Sequence, residues 1–174
     1  MGRKRTASGG TPATVALANA GIDFGTHPYA HDPASELSYG LEAAAALGVP
    51  AEVVFKTLVA RVDGLPGQGL AVAILPVAET LDLKALAQAL GQKKATMADP
   101  AAAQRSSGYV TGGISPIGQR TALPTVIDAT AQELPLMYVS GGRRGFDISL
   151  APQDLAQVTH GRFEPITTHL NRSR

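Results

Sequence analysis

Short apolar runs alternate with polar stretches along this chain and predict helices and strands in mixed order. Apolar spacing of three to four residues predicts helices over 11–20, 37–47, 81–90, 101–105 and 152–158. Glycines at 21, 48 and 91 end the first three. Continuous or β-branched apolar runs predict strands at 22–29, 53–60, 70–75, 125–127, 136–139 and 146–150, with another starting near Phe163. The runs 53–60 and 70–75 flank a turn and predict a hairpin.

The predicted strands cluster instead of alternating regularly with helices. This order favours an α+β fold with a mixed sheet over a doubly wound parallel sheet. No internal repeat or linker is evident, so residues 11–170 are expected to form a single domain. Residues 1–10 are small and basic and are expected to form a disordered tail. The alternative is an RNA-contacting arm built on Arg3, Lys4 and Arg5.

The amino-acid composition excludes several kinds of site and partner. The 174 residues are 44% apolar but only 5% aromatic, so the core must consist largely of Ala, Val, Leu and Ile. Cysteine is absent, which excludes disulfides, thiolate metal sites and a cysteine nucleophile. No apolar run approaches the roughly 18 residues of a membrane span, so no membrane partner is expected. A net charge of +1 means that any RNA contact must depend on local basic patches.

Lys56 is the first candidate for chemistry, because it lies inside an apolar, β-rich run. A buried amine must reach solvent or find a partner. It is either a lysine at a strand end or a cleft lysine that holds a phosphate, ribose or carbonyl group.

Two glycine-rich segments are the next candidates. The segment 112–118 is either a tight turn or a loop whose backbone N–H groups bind an oxyanion or phosphate. The segment 140–145 looks like a turn, but its Arg143 and Arg144 could meet RNA phosphates. Asp147 comes shortly after this segment and has three alternative interpretations. It could pair with Lys56, accept a hydrogen bond from a ribose hydroxyl, or lie in solvent at a strand edge.

The sequence gives little support for other catalytic arrangements. His27, His31, His160 and His169 are widely spread, and the prolines beside the first two prevent a helical pair, so no metal site is expected. Gly-x-Ser-x-Gly does not occur. The sequence therefore offers no obvious protein nucleophile.

Several stretches together resemble the YbaK family of aminoacyl-tRNA deacylases, which is related to the editing domain of bacterial prolyl-tRNA synthetases. The matching pieces include HPYAHDP, VFKTLVA, AQRSSGYVTGGISPIGQR and YVSGGRRGFDISLAPQDLA, in one order from Tyr29 to Ala156. The resemblance is strongest to stand-alone Cys-tRNA(Pro) deacylases. It implies a partly curled, seven-stranded mixed sheet with flanking helices and a cleft for the aminoacylated 3′ adenosine.

The resemblance also implies a set of site residues. Those expected to act in catalysis are Lys56, Gly112, Gly113 and Ser115. Those expected to bind substrate are Tyr29, Tyr39, Thr57, Ile114, Gly118, Ser140, Gly141, Arg144 and Asp147. No metal or cofactor is expected.

The implied chemistry is assisted by the substrate. The cysteine thiol of a mischarged tRNA attacks its own ester, and backbone N–H groups stabilise the oxyanion. The expected partners are the tRNA(Pro) 3′ end and prolyl-tRNA synthetase, and DNA is not expected as a partner. The expected location is the cytoplasm. Alternatives are an alanine-specific or broader deacylase, a non-catalytic module that binds a tRNA end or nucleotide, and, more weakly, a metal hydrolase.

Overall fold

A computed structural model describes residues 10–168. Within this range the architecture is α+β, as the sequence predicts. The helices are α1 (Pro12–Asn19), α2 (Tyr39–Leu47), α3 (Leu83–Ala89), α4 (Pro100–Ser107) and α5 (Pro152–Thr159). The strands are β1 (Gly25–Pro28), β2 (Phe55–Val62), β3 (Leu70–Pro76), β4 (Ala95–Met97), β5 (Thr125–Asp128), β6 (Met137–Arg143), β7 (Phe146–Leu150) and β8 (Arg162–Glu164). The predicted basic tail and His169 lie outside the described residues, except Gly10.

The strands form two sheets instead of the expected single seven-stranded sheet. One has the order β4-β2-β3-β5-β8 and the other β1-β7-β6. A parallel bridge between Val54 and Tyr138 links them. Beyond it, β6 contains a bulge between Ser140 and Arg143. A bulge bends its strand and increases the local twist, so we attribute the separation of the sheets beyond the bridge to it.

Three strands differ from the prediction. β4 was not predicted, because three residues give no readable alternation; it forms by pairing with the end of β2, where Val62 faces Ala95. β6 runs through the glycines at 141 and 142, which were expected to form a loop, and leaves only Arg144 and Gly145 for the turn. β1 covers four residues of the predicted 22–29.

The core lies on both faces of the β2–β3 hairpin, which pairs from Phe55–Pro76 to Arg61–Leu70 and confirms the predicted hairpin. One face packs against the small sheet, α1 and α5, with Leu17, Ile74 and Ile148 fully buried. The other packs against α3, with Leu75 and Leu86 fully buried. Each such side chain contributes about 1.5–3 kcal/mol of transfer free energy.

Within residues 10–168, none of the helices combines the length and apolar character needed to cross a bilayer.

Candidate active site

A cleft of about 330 Å³ opens where the two sheets separate. Its wall includes residues 54–59 of the β2 segment, Ser140 of β6 and Asp147 of β7, together with parts of α2, α4 and the segment 111–114. The predicted site residues that line it are Tyr29, Tyr39, Lys56, Thr57, Gly112, Ile114, Ser140 and Asp147. Predicted site residues from six separate chain segments therefore meet in one hollow.

Lys56 is half-buried in this cleft. Its Nζ donates a long hydrogen bond of 3.4 Å to the carbonyl oxygen of Val77. Burial lowers the pKa of the amine. The expected alternative of a pair with Asp147 is not realised, because within residues 10–168 no ion pair joins the two groups. Among residues 10–168 the ammonium group therefore has no ion-pair partner.

Asp147 is the buried carboxyl of the cleft, with 6% of its surface exposed. It faces His27 on β1 and Ser140 on β6. Within the described residues, no hydrogen bond reaches its carboxyl group. Burial raises its pKa from 3.8 to about 7. Burial, followed by the negative charge of Asp147, raises the pKa of Tyr29 to about 12.

Thr57 contributes an unsatisfied polar atom. Its Oγ1 is buried and has no hydrogen-bond partner among residues 10–168. A buried hydroxyl without a partner costs about 1–3 kcal/mol. Since Thr57 lines the cleft, a bound ligand or water can supply that partner.

Two residues of the first glycine loop that line the cleft have backbone N–H groups without an acceptor among residues 10–168. The N–H of Gly113 closes a turn by donating to the Val110 carbonyl at 2.9 Å. The N–H groups of Gly112 and Ile114 have no acceptor within residues 10–168, and both residues line the cleft. Two such donors can stabilise a developing oxyanion.

Five predicted site residues do not line the cleft: Gly113, Ser115, Gly118, Gly141 and Arg144. Ser115 is fully buried, and its Oγ accepts a hydrogen bond from the Ile117 N–H within its own loop. The three glycines are packing positions. A Cβ on Gly113 would lie 2.7 Å from Arg143 Cα, one on Gly118 2.5 Å from the Pro12 oxygen, and one on Gly141 2.4 Å from the Phe146 ring.

Tyr39 stands at the mouth of the cleft, at the first position of α2, where Ser38 caps the helix by accepting a hydrogen bond from the Leu41 N–H. Its ring covers Gly112, at which a Cβ would lie 2.7 Å from the ring. The Arg144 guanidinium lies 5.3 Å from the ring centroid, and its Nε donates to the Thr111 carbonyl at 2.9 Å. Arg144 thus joins the β6–β7 turn to the glycine loop.

Sequence reasoning missed a histidine–glutamate contact beside Tyr39. His31 Nδ1 lies 2.7 Å from Glu42 Oε1, and the His31 ring lies 5.6 Å from the Tyr39 ring. The Asp32 N–H donates to the other Glu42 oxygen, and this bond, followed by the His31 contact, lowers the pKa of Glu42. The spacing of eleven residues between His31 and Glu42 gives no sequence signal.

The apolar end of the cleft was also missed. It is formed by Met97, Ala98, Pro100 and Ala103, which follow from β4 into α4. These residues carry no chemical signature, and their location depends on the unpredicted strand β4. Apolar walls with a few polar groups are typical of small-ligand sites.

The described lining contains no protein nucleophile paired with a base. The Ser140 Oγ accepts from the Gly142 N–H, and the Ser38 Oγ caps α2. No hydrogen bond joins either serine to a histidine within residues 10–168.

Known proteins resemble this chain in sequence and in fold. A family model described as "Aminoacyl-tRNA editing domain" matches residues 37–158, about two thirds of the chain. The chain belongs to this family. The matched range holds α2, the β2–β3 hairpin, both glycine segments and every cleft residue named above except Tyr29, so the resemblance predicted from the sequence motifs is confirmed.

A curated relative from Enterococcus faecalis, named "Putative Cys-tRNA(Pro)/Cys-tRNA(Cys) deacylase EbsC", is 40% identical over 125 residues, or 72% of this chain and 74% of the relative. Two solved structures share the fold. One, "hypothetical protein APE2540", has a TM-score of 0.78 at 20% identity and covers 91% of this chain and all of its own. The other, "a putative trans-editing enzyme for prolyl tRNA synthetase", has a TM-score of 0.74 at 21% identity, over 90% and 95% of the two chains.

Proposed function

We propose that this protein removes cysteine from mischarged tRNA, with Cys-tRNA(Pro) as its substrate. Family membership supports the broader activity, aminoacyl-tRNA deacylation, which the sequence predicted. The name of the 40% identical relative supports cysteine as the amino acid. The observation that carries the mechanism is a cleft with Lys56, Asp147 and two free backbone N–H groups, but no side-chain nucleophile paired with a base.

The reaction begins with the substrate's own thiol. The sulfur attacks the ester carbonyl carbon, so that a carbon–sulfur bond forms and the bond to the ribose oxygen breaks. The thiol proton ends on that ribose oxygen, and the amino acid leaves as a four-membered thiolactone, which water opens to cysteine. A nucleophile held beside its target can supply about 7–11 kcal/mol of the barrier reduction.

The cleft residues serve this reaction by positioning and charge. The Gly112 and Ile114 N–H groups donate to the carbonyl oxygen as it becomes negative. Lys56 binds the same end of the substrate, because its ammonium group has only a long hydrogen bond to the Val77 carbonyl oxygen in the free protein. Asp147 accepts hydrogen bonds from the ribose and the amino group, and the Tyr29 hydroxyl donates one to the ribose. The Thr57 hydroxyl gains its missing partner.

The partner that presents the substrate is prolyl-tRNA synthetase, because a chain of this size has little surface for the body of a tRNA. A crystal structure with the same fold is described as a trans-editing enzyme for that synthetase. Its 21% identity supports the fold alone, so the pairing is part of the proposal.

The test is a panel of tRNA(Pro) charged with Cys, Ala, Ser or S-methylcysteine, with and without prolyl-tRNA synthetase. We expect rapid release of cysteine only, because methylation removes the nucleophile while leaving the ester intact. Equal release of S-methylcysteine would refute the substrate-assisted step. Preferred release of alanine would instead identify an alanine-specific enzyme, and binding without release of any amino acid would identify a binding module.

A further inference from the structure

Positive charge is unevenly distributed along this chain. Residues 100–127 and 134–146 contain Arg105, Arg120, Arg143 and Arg144 but no Asp or Glu, although the whole chain has 14 acidic against 15 basic residues. All four arginines are exposed. With Asp128 and Glu133 between the two segments, residues 100–146 still carry four basic against two acidic residues, so the net charge of +1 conceals a local excess of positive charge.

Hydrogen bonds connect three of these arginines into one surface, which we call the arginine rim (Arg105, Arg120 and Arg144). Arg144 Nε donates to the Thr111 carbonyl, and the Thr111 N–H donates to Gln104 Oε1, both at 2.9 Å. Gln104 precedes Arg105 on α4, and Arg120 Nη1 lies 3.5 Å from the Arg105 carbonyl oxygen.

The arginine rim begins at the mouth of the cleft. Thr111 lines the cleft, and the Arg144 guanidinium lies over the Tyr39 ring at the mouth. The segment 30–38, which leads into Tyr39, instead carries the exposed carboxylates of Asp32 and Glu36. The two borders of the mouth therefore differ in charge.

We propose that the arginine rim binds the phosphates of the RNA strand whose 3′ end enters the cleft. This inference rests on the proposed function. The guanidinium groups match phosphate geometry and remain charged at any physiological pH. Each phosphate contact releases counterions and adds affinity that falls with salt. The strand leaves the cleft over Arg144 toward Arg105 and Arg120, because Asp32 and Glu36 repel it on the other side.

The test uses the variant Arg105→Gln/Arg120→Gln, which alters neither cleft residues nor the glycine loop. Two substrates are compared over a range of salt concentrations: Cys-tRNA(Pro), and 3′-cysteinyl adenosine, which has no phosphates. The control variant Lys84→Gln/Arg162→Gln removes the same charge from exposed positions on α3 and β8. Binding of uncharged tRNA(Pro) is measured in parallel.

We expect KM for Cys-tRNA(Pro) to rise roughly tenfold in the rim variant, with a slope of log KM against log salt that is smaller by about 1.4–1.8, the value for two lost phosphate contacts. The rim variant should hydrolyse cysteinyl adenosine at an unchanged rate. The control variant should have unchanged KM and turnover with both substrates. Arg105→Lys/Arg120→Lys retains the salt slope because it retains the charge.

An unchanged KM and salt slope in the rim variant would overturn the inference. A defect that appears only with prolyl-tRNA synthetase would assign the rim to a protein partner, and an equal defect on cysteinyl adenosine would show a structural effect. If the unaltered protein hydrolyses neither substrate, the proposed function fails, and the binding measurement with uncharged tRNA(Pro) still decides the rim.

Discussion

Asp147→Asn is expected to stabilise the protein at neutral pH while impairing its activity. The native carboxyl has a pKa of about 7, and the ordinary value of 3.8 applies to the unfolded chain. Between these values the folded protein binds one more proton than the unfolded chain. The free energy of unfolding therefore falls as pH rises from about 4 to 7, by about 1.4 kcal/mol per pH unit, and reaches its lower level above pH 7.

The magnitude follows from the same two values. The whole difference between 3.8 and about 7 corresponds to about 4 kcal/mol. About 3 kcal/mol of this falls between pH 5 and pH 8. An asparagine at 147 has no proton to lose, so the free energy of unfolding of the variant relative to the unaltered protein should increase by about that amount over this interval.

The assay is urea unfolding of both proteins at pH 5, 6, 7 and 8. Asp128→Asn is the matched control, because Asp128 is equally buried but accepts hydrogen bonds from Thr130 N, Thr130 Oγ1 and Ile166 N. That variant should be destabilised at pH 8, where Asp147→Asn is stabilised. A difference in unfolding free energy between Asp147→Asn and the unaltered protein that stays constant from pH 5 to pH 8 would refute the reasoning.

Three further substitutions separate chemistry from packing. Lys56→Ala should lower kcat/KM for Cys-tRNA(Pro) by about 10²–10³-fold in single-turnover assays, and Lys84→Ala, on exposed α3, should not; equal activity of the two variants would remove Lys56 from the mechanism. Thr57→Val should leave the Tm unchanged or higher, since it removes an unsatisfied hydroxyl, yet raise KM; a lower Tm would show that the hydroxyl is already bonded. Gly113→Ala should lower stability by about 1–3 kcal/mol in urea unfolding, because its Cβ meets the backbone of Arg143; an unaltered midpoint would contradict that contact.

Local patterns were sufficient to predict much of this fold. The β2–β3 hairpin follows from two apolar runs around a turn, and α2 follows from an Ala-rich run that ends at Gly48, where φ is +67°. The features that were not predicted from the sequence depend on contacts between residues that are distant in the chain. β4 is a strand only because β2 provides its hydrogen bonds, and we attribute the division into two sheets to the bend of β6 at its bulge.

The motif predicted the cleft but did not distinguish residues that line it from residues that support it. Lys56, Asp147 and Gly112 come together in the cleft, whereas Gly113 and Gly141 lie behind it. The supporting glycines occur beside the lining residues in sequence because one loop both presents N–H groups and packs closely on its neighbour. Sequence spacing alone cannot separate those functions, since both require glycine.

The supporting contacts have a direct consequence for catalysis. The N–H groups of Gly112 and Ile114 can act on an oxyanion only if the loop between them stays fixed, and it is fixed by the close approach of Gly113 to Arg143 and by the Arg144 bond to Thr111. Among residues 10–168, a Lys56 ammonium without an ion-pair partner, a buried Asp147 carboxyl without a hydrogen bond and an unsatisfied Thr57 hydroxyl all disfavour folding. In the proposed mechanism each of these groups gains a partner when substrate is bound, so the same polar groups that weaken the free protein would strengthen its complex with the substrate.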